Sequence, residues 1–311
     1  MIVTLTMNPA VDKTVYIDWL RTGQLNRISR KALDAGGKGI NAARMLRVLG
    51  CECIAAGIAG GSAGRFIEDT LESEGIRTDF LHIEEETRTN EKIIEENGTM
   101  TELNEPGPLL TPEILGRCQE KLSAYAGPDT VFVISGSIPQ GVSPDYYAHL
   151  IRLLKRKGSR VILDADGELL RLGIEAQPDA VKPNLQELSS YFGLGAGHAL
   201  SEEELMLCAL QLSGKGIPLA AISLGAQGAL FVKGRQLIRC PGLTVKALSP
   251  VGAGDAMAAS LAYCLERGVS FEDTARLCIA ASAASATTPG TRPPEKALID
   301  QLLPKVELIR A

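Results

Sequence analysis

The chain has 311 residues, of which 45% are hydrophobic, 22% charged and only 4% aromatic. Its formal net charge of −5 argues against nucleic acid as the main partner, and no apolar run is long enough to span a membrane. The length accommodates one large α/β domain or two domains. Seven cysteines are scattered without a C-x-x-C pair, so we expect reduced core thiols and no zinc site.

The N-terminus begins directly with a strand-like segment, residues 2–7, and lacks the basic region and long apolar core of a signal peptide. A cytoplasmic enzyme is therefore the default expectation. Helix-like and strand-like patterns then alternate to the end of the chain, which predicts parallel βαβ units and an α/β sheet covered by helices on both faces. The predicted helices are residues 39–49, 63–74, 112–125, 144–157, 185–192, 202–213, 256–267 and 271–287. The predicted strands between them include residues 131–135, 160–164, 219–223 and 229–232.

Several predicted helices have clear start signals. Thr111 and Ser143 each precede a proline, which suits a capping residue followed by a first-turn proline. Residues 201–204 (SEEE) have the spacing of a capping box. These signals fix three helix starts in the prediction.

Two stretches interrupt the alternation with short strands and no helix between them: residues 13–17 with 27–33, and residues 89–94 with 100–103. The second pair turns at Asn97-Gly98, a strong hairpin signal. We infer one domain over residues 1–311, with a small β-sheet lid inserted from about residues 12–34 and 87–105. The lid edges need cover, and a second copy could supply it, so we expect a homodimer through the lid.

Two motifs in the first fifty residues could bind a polar or anionic substrate. Asp12 follows the first strand and could accept hydrogen bonds from sugar hydroxyls, although a plain turn residue is the alternative. The loop before the first helix contains Gly36, Gly37, Lys38, Gly39 and Asn41. Its glycines allow close backbone approach, while its lysine and asparagine add a cation and an amide. A structural helix entry is the alternative, and the loop is not a Walker A motif.

Four further segments carry residues suited to phosphate, metal or nucleotide binding. Arg88 at the lid edge could grip a phosphate through two nitrogens, and Ser137 follows a buried strand where a small hydroxyl can face a ligand. Asn184 and Glu187 could hold a hydrated Mg²⁺, but their spacing alone favours a helix capping box. Residues 223–228 (SLGAQG) form a predicted hairpin that could pass under a nucleotide.

The most informative segment is residues 250–257 (PVGAGDAM), a glycine-rich turn that opens an alanine-rich helix. Gly252 and Gly254 leave backbone N–H groups free to bind an anion, and the helix dipole adds positive potential. A carboxylate there is unsuited to simple phosphate binding, because like charges repel. It suits a base that takes a proton from a hydroxyl while the turn binds a phosphoryl group in transfer, so Asp255 is the candidate base.

Together these motifs resemble the PfkB family of ribokinase-like carbohydrate kinases over essentially the full length of the chain. Residues 36–41 (GGKGIN) resemble the first signature of the family, residues 251–255 (VGAGD) its second, and Asn184-x-x-Glu187 its N-x-x-E metal motif. The resemblance is strongest to the branch of 1-phosphofructokinases and tagatose-6-phosphate kinases, through residues 6–12 (TMNPAVD), 36–39 and 101–104 (TELN). It implies a ribokinase-like three-layer α/β/α domain.

The resemblance also implies a role for each motif. Asp255 would be the general base, and Gly252, Ala253 and Gly254 would form the anion hole for the γ-phosphoryl group. The sugar phosphate would be bound by Asp12, Gly36, Gly37, Lys38, Gly39, Asn41, Arg88 and Ser137. The ATP site would include Lys182, Asn184, Glu187, Ser223, Gly225, Gly228, Gly252 and Gly254. Glu187 would hold Mg²⁺ through water, together with ATP.

The implied reaction is ATP-dependent phosphorylation of a ketohexose phosphate. D-fructose 1-phosphate, giving fructose 1,6-bisphosphate, is the first choice, and tagatose 6-phosphate is the alternative. A 6-phosphofructokinase and a non-catalytic sugar-phosphate sensor rank below both. Residues 164–168 read DADGE where the branch usually has DTSGE. Ser249-Pro250 stands where the wider family often has Asp-Thr, which leaves a dependence on a monovalent cation open.

Overall fold

The computed structural model describes residues 1–195 and 200–310; His198, one of the three histidines, lies outside them. The strands in these ranges are β1 (Ile2–Thr6), β2 (Ala10–Ile17), β3 (Arg30–Gly36), β4 (Cys53–Gly60), β5 (Arg77–Ile83), β6 (Arg88–Glu95), β7 (Met100–Asn104), β8 (Val131–Ser135), β9 (Arg160–Asp164), β10 (Ala180–Val181), β11 (Leu219–Ser223), β12 (Gly228–Lys233), β13 (Gln236–Pro241) and β14 (Ile309–Arg310). The α-helices are α1 (Lys38–Val48), α2 (Gly61–Ser73), α3 (Pro112–Tyr125), α4 (Tyr146–Arg156), α5 (Gly167–Glu175), α6 (Leu185–Tyr191), α7 (Glu202–Gly214), α8 (Ala253–Arg267), α9 (Phe271–Ser285) and α10 (Lys296–Leu302).

A 10-stranded sheet forms the middle layer, in the order β14-β13-β12-β11-β10-β9-β8-β1-β4-β5. Neighbouring strands from β11 to β5 are parallel, and β12, β13 and β14 extend the other edge in antiparallel fashion. Side chains alternate between two cores: Ile2 belongs to the core that includes residues of α1, α2, α8, α9 and α10, whereas Val3 and Leu5 belong to the core that includes residues of α3 to α7. The predicted three-layer α/β/α fold is confirmed.

A second sheet of four strands, in the order β3-β2-β6-β7, is formed by the two stretches that interrupt the alternation, and we call it the lid. β2 pairs antiparallel with β3 and parallel with β6, and β6 with β7 forms the predicted hairpin. Gly98 has φ 85°, and Asn97 Oδ1 accepts the Thr99 N–H. β2 already begins at Ala10, so Asp12 lies inside a lid strand and not in a turn.

Several helix starts agree with the sequence signals, and others differ for identifiable reasons. Thr111 caps α3 and Ser201 forms the predicted capping box of α7. Ser143 does not start α4: its carbonyl accepts the Tyr146 N–H in a turn, and the helix starts after Asp145. Two helices were missed, because α5 opens on a glycine and α10 is a 7-residue helix behind a pair of prolines.

The parallel arrangement brings the polar motifs to one edge of the large sheet. Ser135 ends β8, Asp164 ends β9, and Lys182 follows β10. The seven cysteines are all free and buried, as expected for core thiols. Within the described ranges, no helix has the length and apolar character needed to cross a membrane.

Candidate active site

Asp255 lies in the first turn of α8, immediately behind the glycine-rich turn. Gly252 is the N-cap with φ 86°, a left-handed conformation that glycine adopts without strain, and it starts the helix before the predicted Ala256. The first N–H groups of a helix lack intrahelical partners, so residues 252–254 offer the predicted anion-binding turn. The Asp255 carboxylate is buried, and its Oδ2 accepts a 2.7 Å hydrogen bond from Asn41 Nδ2.

The surroundings of Asp255 raise its pKa to about 6. Burial is the largest cause, followed by the negative charge of Asp164. The hydrogen bond from Asn41 and the cations of Lys38 and Lys182 act in the opposite direction. At a pKa of about 6 the carboxylate is mostly ionised at neutral pH, and such a pKa suits a proton acceptor.

Three charged side chains from separate segments meet beside Asp255, and we call Lys38, Asp164 and Lys182 the two-lysine cluster. Asp164, 1% exposed, has its Oδ1 3.2 Å from Lys38 Nζ and 3.3 Å from Lys182 Nζ. A Cβ at Gly254 would lie 3.2 Å from Lys182 Nζ, so this ammonium abuts the anion-binding turn.

Lys38 points toward the carboxylates of the site and not toward the lid. Burial lowers the pKa of Lys38, but nearby carboxylates outweigh burial and raise the pKa above its ordinary value. These carboxylates belong to Asp164, Glu187 and Asp255. The sequence grouped Lys38 with the sugar-phosphate residues, whereas its ammonium lies on Asp164 on the side of the predicted nucleotide residues.

Contacts within the protein account for the glycines of the first motif. A Cβ at Gly36 would lie 2.7 Å from Asp12 Cγ, and a Cβ at Gly37 would lie 2.7 Å from Thr6 Cγ2. Gly39 is the tightest: its Cβ would lie 2.4 Å from Thr6 Oγ1 and 2.7 Å from the carbonyl oxygen of Leu5. The glycines therefore let α1 pack against β1 and leave room for the Asp12 carboxylate. These contacts are the ones expected of a structural helix entry.

Asp12 is held on one face of the lid by two neighbours from β6. Asn90 Nδ2 donates to Asp12 Oδ1 at 3.1 Å, and Lys92 Nζ donates to Asp12 Oδ2 at 3.1 Å. The two-residue spacing of Asn90 and Lys92 puts them on one strand face. Lys92 was missed by the sequence reasoning, and this spacing in the predicted strand was the signal that could have found it.

Arg88 joins the lid to the loop around Asn8. Its Nε and Nη2 donate to the Asn8 carbonyl at 3.3 and 3.1 Å, and its Nη1 donates to the Glu105 carbonyl at 3.0 Å. Burial lowers the pKa of the guanidinium. Ser137 lies beside the same loop, since its Oγ accepts from Asn8 Nδ2 at 3.2 Å. Asn8, a second residue missed in the sequence, thus links the β1 end to the β8 end.

The Asn184-x-x-Glu187 motif forms the capping box that its spacing favours. Asn184 Oδ1 accepts the Glu187 N–H at 2.8 Å, and Glu187 Oε2 accepts the Asn184 N–H at 2.9 Å. Burial raises the pKa of Glu187. The cap uses Oε2 of Glu187 and not Oε1.

The predicted nucleotide hairpin adjoins this capping box. Asn184 and Ser223 form a parallel β-bridge, and the Ser223 N–H donates to the Pro183 carbonyl at 3.0 Å. Gly225 opens a short 3₁₀ turn, and Gly228 has φ 98°. A Cβ at Gly228 would lie 2.0 Å from the Cys240 carbonyl oxygen, so the hairpin itself requires this glycine.

A family model described as pfkB family carbohydrate kinase matches residues 3–298. The chain belongs to the pfkB family of carbohydrate kinases. As a sugar kinase it is a phosphotransferase with an alcohol group as acceptor, and the resemblance carried by the two signatures is confirmed. It is 32% identical to a 1-phosphofructokinase of Haemophilus influenzae, over 99% of this chain and 97% of that one.

Two further comparisons bear on this pfkB kinase. It is 34% identical to a tagatose-6-phosphate kinase of Staphylococcus epidermidis, with 84% of each chain covered. Its fold is similar to a crystal structure of phosphofructokinase-2 from Escherichia coli in complex with potassium, with a TM-score of 0.92 and 28% identity over 98% of each chain. The similarity therefore extends over nearly the whole chain, the lid included.

Proposed function

We propose that this pfkB kinase transfers the γ-phosphoryl group of ATP to D-fructose 1-phosphate, giving fructose 1,6-bisphosphate and ADP. The observation that carries the proposal is the buried Asp255, which Asn41 holds at the anion-binding turn with a pKa of about 6. The Haemophilus influenzae relative named 1-phosphofructokinase, which covers almost the whole chain, supports the choice of sugar.

In the proposed step, Asp255 accepts the proton of the C6 hydroxyl as its oxygen attacks the γ-phosphorus. The bond from this phosphorus to the bridging oxygen of ADP breaks, and ADP leaves with the electron pair. Gly252, Ala253 and Gly254 bind the equatorial oxygens through backbone N–H groups. Such a transfer depends on positioning and charge neutralisation more than on covalent catalysis, and the lid would exclude water from it.

The sugar phosphate would lie between the lid and the ends of β1 and β8. Asp12 would accept hydrogen bonds from its hydroxyls, and the remaining N–H groups of Arg88 and the cation of Lys92 would bind its phosphate. Asn41 and Ser137 would complete the site. Lys182, Asn184 and the hairpin at Ser223 would line the ATP side.

The residues present fit a magnesium ion that arrives with ATP. Among the described residues, no three His, Cys, Asp or Glu side chains cluster as a metal-binding group. Mg²⁺ commonly retains waters and binds through one or two carboxylates plus substrate phosphates, so a protein cage is not required. Glu187, whose Oε1 takes no part in the cap, would hold it through water, and the ion would neutralise phosphate charge.

The test is a coupled assay of ADP formation with fructose 1-phosphate, tagatose 6-phosphate and fructose 6-phosphate, compared by kcat/KM. We expect fructose 1-phosphate to give the highest value, and a preference for either other sugar would overturn this choice. The assay is repeated with and without potassium, because Ser249-Pro250 departs from the wider family pattern. Sugar-phosphate binding without any ADP formation would support a sensor.

Tagatose 6-phosphate is the second candidate substrate. The observation that favours it is the 34% identity to a relative named tagatose-6-phosphate kinase. The step at Asp255 would keep the same form with the C1 hydroxyl in place of the C6 hydroxyl, although tagatose also differs from fructose in its configuration at C4. The same three-substrate assay distinguishes the two candidates.

We also propose a homodimer through the lid of a cytoplasmic enzyme. Leu33, Met100 and Leu103 are exposed lid residues, and Leu33 and Leu103 line a cavity of about 840 Å³ beside α2. A second lid would cover such a surface. Light scattering tests this: we expect a dimer for the wild type and a monomer for Leu103→Glu, and a monomeric wild type would contradict it.

Seven buried free thiols support the proposed cytoplasmic location, because they suit a reducing compartment.

A further inference from the structure

The two-lysine cluster contains two ammonium groups and one carboxylate. Lys38 opens α1, Lys182 follows β10, and both ammonium groups lie on the same oxygen, Oδ1 of Asp164. Lys182 is 5% exposed and Asp164 1% exposed, so two of the three side chains have little contact with water. Asp164 alone does not balance the two lysines, and the carboxylates of Asp255 and Glu187 also act on them.

Buried charges are costly unless they are paired, so the second ammonium group needs a carboxylate besides Asp164. Asp255 supplies part of the compensation, since its carboxylate acts on Lys38 and both lysines act on it. The other Asp164 oxygen, Oδ2, is buried and has no hydrogen-bond partner among the described residues. An unpartnered carboxylate oxygen can accept a further hydrogen bond, so Asp164 retains an acceptor beside the two lysines.

The backbone beside the two lysines leaves space at Gly254 and at Gly136. Lys182 Nζ abuts Gly254, where a side chain would come within 3.2 Å of the ammonium. Gly136, with φ 84°, lies beside Lys38, and its Cβ would be 3.7 Å from Lys38 Cβ. Small residues therefore flank both lysines next to the anion-binding turn, where a transferred phosphoryl group would pass.

We propose that Asp164 is a positioning residue, which holds Lys38 and Lys182 together beside the Asp255 carboxylate so that both ammonium groups face the phosphoryl group in transfer. This inference rests on the proposed function. It places Lys38 beside the phosphoryl group in transfer and not beside the phosphate already on the sugar. Asp164 acts through the lysines and contacts neither the sugar nor the reacting phosphorus.

The experiment compares Asp164→Asn with the wild type at saturating and subsaturating ATP and sugar phosphate. Asn retains an oxygen for the lysines but removes the charge, so we expect kcat to fall about 10²-fold with a smaller change in the KM of the sugar phosphate. The exposed Glu168 in the adjacent helix binds Arg171, and Glu168→Gln is the matched control, expected to keep wild-type kinetics.

The pH profile separates positioning from a purely structural role. Asp164 raises the pKa of Asp255, so its neutralisation should move the acid limb of kcat/KM to lower pH by about one unit. The groups that face Asp255 from other elements are Asp164, Lys38, Lys182 and Asn41, and the last three remain in the variant. A folded Asp164→Asn enzyme with wild-type kcat and an unmoved acid limb would overturn the inference.

Substitution of Lys38 tests whether Asp164 acts through the lysines, and it remains usable if Asp164→Asn folds poorly. Lys38 is 33% exposed at its side chain and tolerates substitution better than Asp164. Because only Lys182 is then left for Asp164 to position, Asp164→Asn added to Lys38→Gln should lower kcat by a smaller factor than Asp164→Asn does in the wild type. Full additivity of the two losses contradicts the inference. If Asp164→Asn does not fold, Lys38→Gln with wild-type kcat contradicts it as well, and a fall of about 10²-fold supports it.

Failure of the proposed function has a different signature. If the wild type forms no ADP with any of the three sugar phosphates, the proposed function is wrong. The same variants are then compared by calorimetry with ATP and Mg²⁺. Equal weakening of ATP binding in Asp164→Asn and Lys38→Gln would support the joint placement of the lysines, and unchanged binding in both would contradict it.

Discussion

The edge of the large sheet and the lid present the same kinds of side chain in different surroundings. At the sheet edge, Asp255 and Asp164 are almost completely buried among lysines, and burial raises the pKa of Asp255 to about 6. In the lid, Asp12 is bound by Lys92 in a pair whose side chains are 15% and 21% exposed. Charges at the sheet edge thus act in a low-dielectric environment, which suits the proposed proton transfer, whereas the more exposed Asp12–Lys92 pair suits the proposed sugar binding.

The largest expected effect comes from removing the base at the sheet edge. Asp255→Asn should lower kcat by about 10²–10⁴-fold, since proton acceptance is lost, while ATP binding survives. The folded-state pKa of Asp255 lies above its unfolded value, so its ionised form destabilises the fold as the pH rises through about 6. The variant should therefore melt at a higher temperature at pH 7.5.

Steady-state kinetics, calorimetry with ATP and a thermal melt check the three parts of this prediction. Near-normal kcat in the purified variant would rule out the general base. A lower melting temperature would mean that the buried carboxylate stabilises the fold, contrary to its raised pKa.

The next effect concerns the contact between α1, which follows the lid strand β3, and β1 of the large sheet. Gly39→Ala should destabilise the protein by about 1–3 kcal/mol, because its Cβ would lie 2.4 Å from Thr6 Oγ1. Gly116 in α3 has no other atom within 4 Å of a Cβ, so Gly116→Ala should stabilise by about 0.5–1 kcal/mol. Urea unfolding of both variants measures the difference, and equal effects would show that α1 can shift away from β1.

The smallest effect tests the lid alone. Lys92→Ala should raise the KM for the sugar phosphate about tenfold and leave kcat within about threefold, because the lid binds the sugar but does not move the proton. Lys13 is the matched control: it lies on the other lid face, 2.6 Å from Glu91, and Lys13→Ala should change neither constant. A loss of kcat in Lys92→Ala with KM unchanged would contradict the proposed division of roles between the sheet edge and the lid.

Local signals predicted local structure well. The Asn97-Gly98 hairpin, the Thr111 cap and the Asn184–Glu187 capping box were all visible as spacings within a few residues. The start of α8 was misplaced because a glycine N-cap with a positive φ leaves no side-chain signal. The sequence likewise placed Asp12 after a strand, although the lid strand begins before it.

The long-range parts of the site could not be predicted from spacing. Lys38 and Asp164 are 126 residues apart, and Asn41 and Asp255 are 214 residues apart. The family resemblance supplied Lys38, Asn41 and Asp255, but it gave Asp164 no role and did not show that one carboxylate holds two lysines. That arrangement depends on which strand ends are neighbours in the folded sheet, which no local pattern specifies.

The pH dependence of kcat/KM tests the central claim most directly, because it reports the ionisation of the base in the free enzyme. Activity should fall with a slope of one as the pH drops below about 6, where Asp255 becomes protonated. The Asn41 hydrogen bond lowers this pKa, so Asn41→Ala should move the acid limb upward. A profile that stays flat to pH 5, with the same result in Asn41→Ala, would contradict the assignment of Asp255 as the proton acceptor.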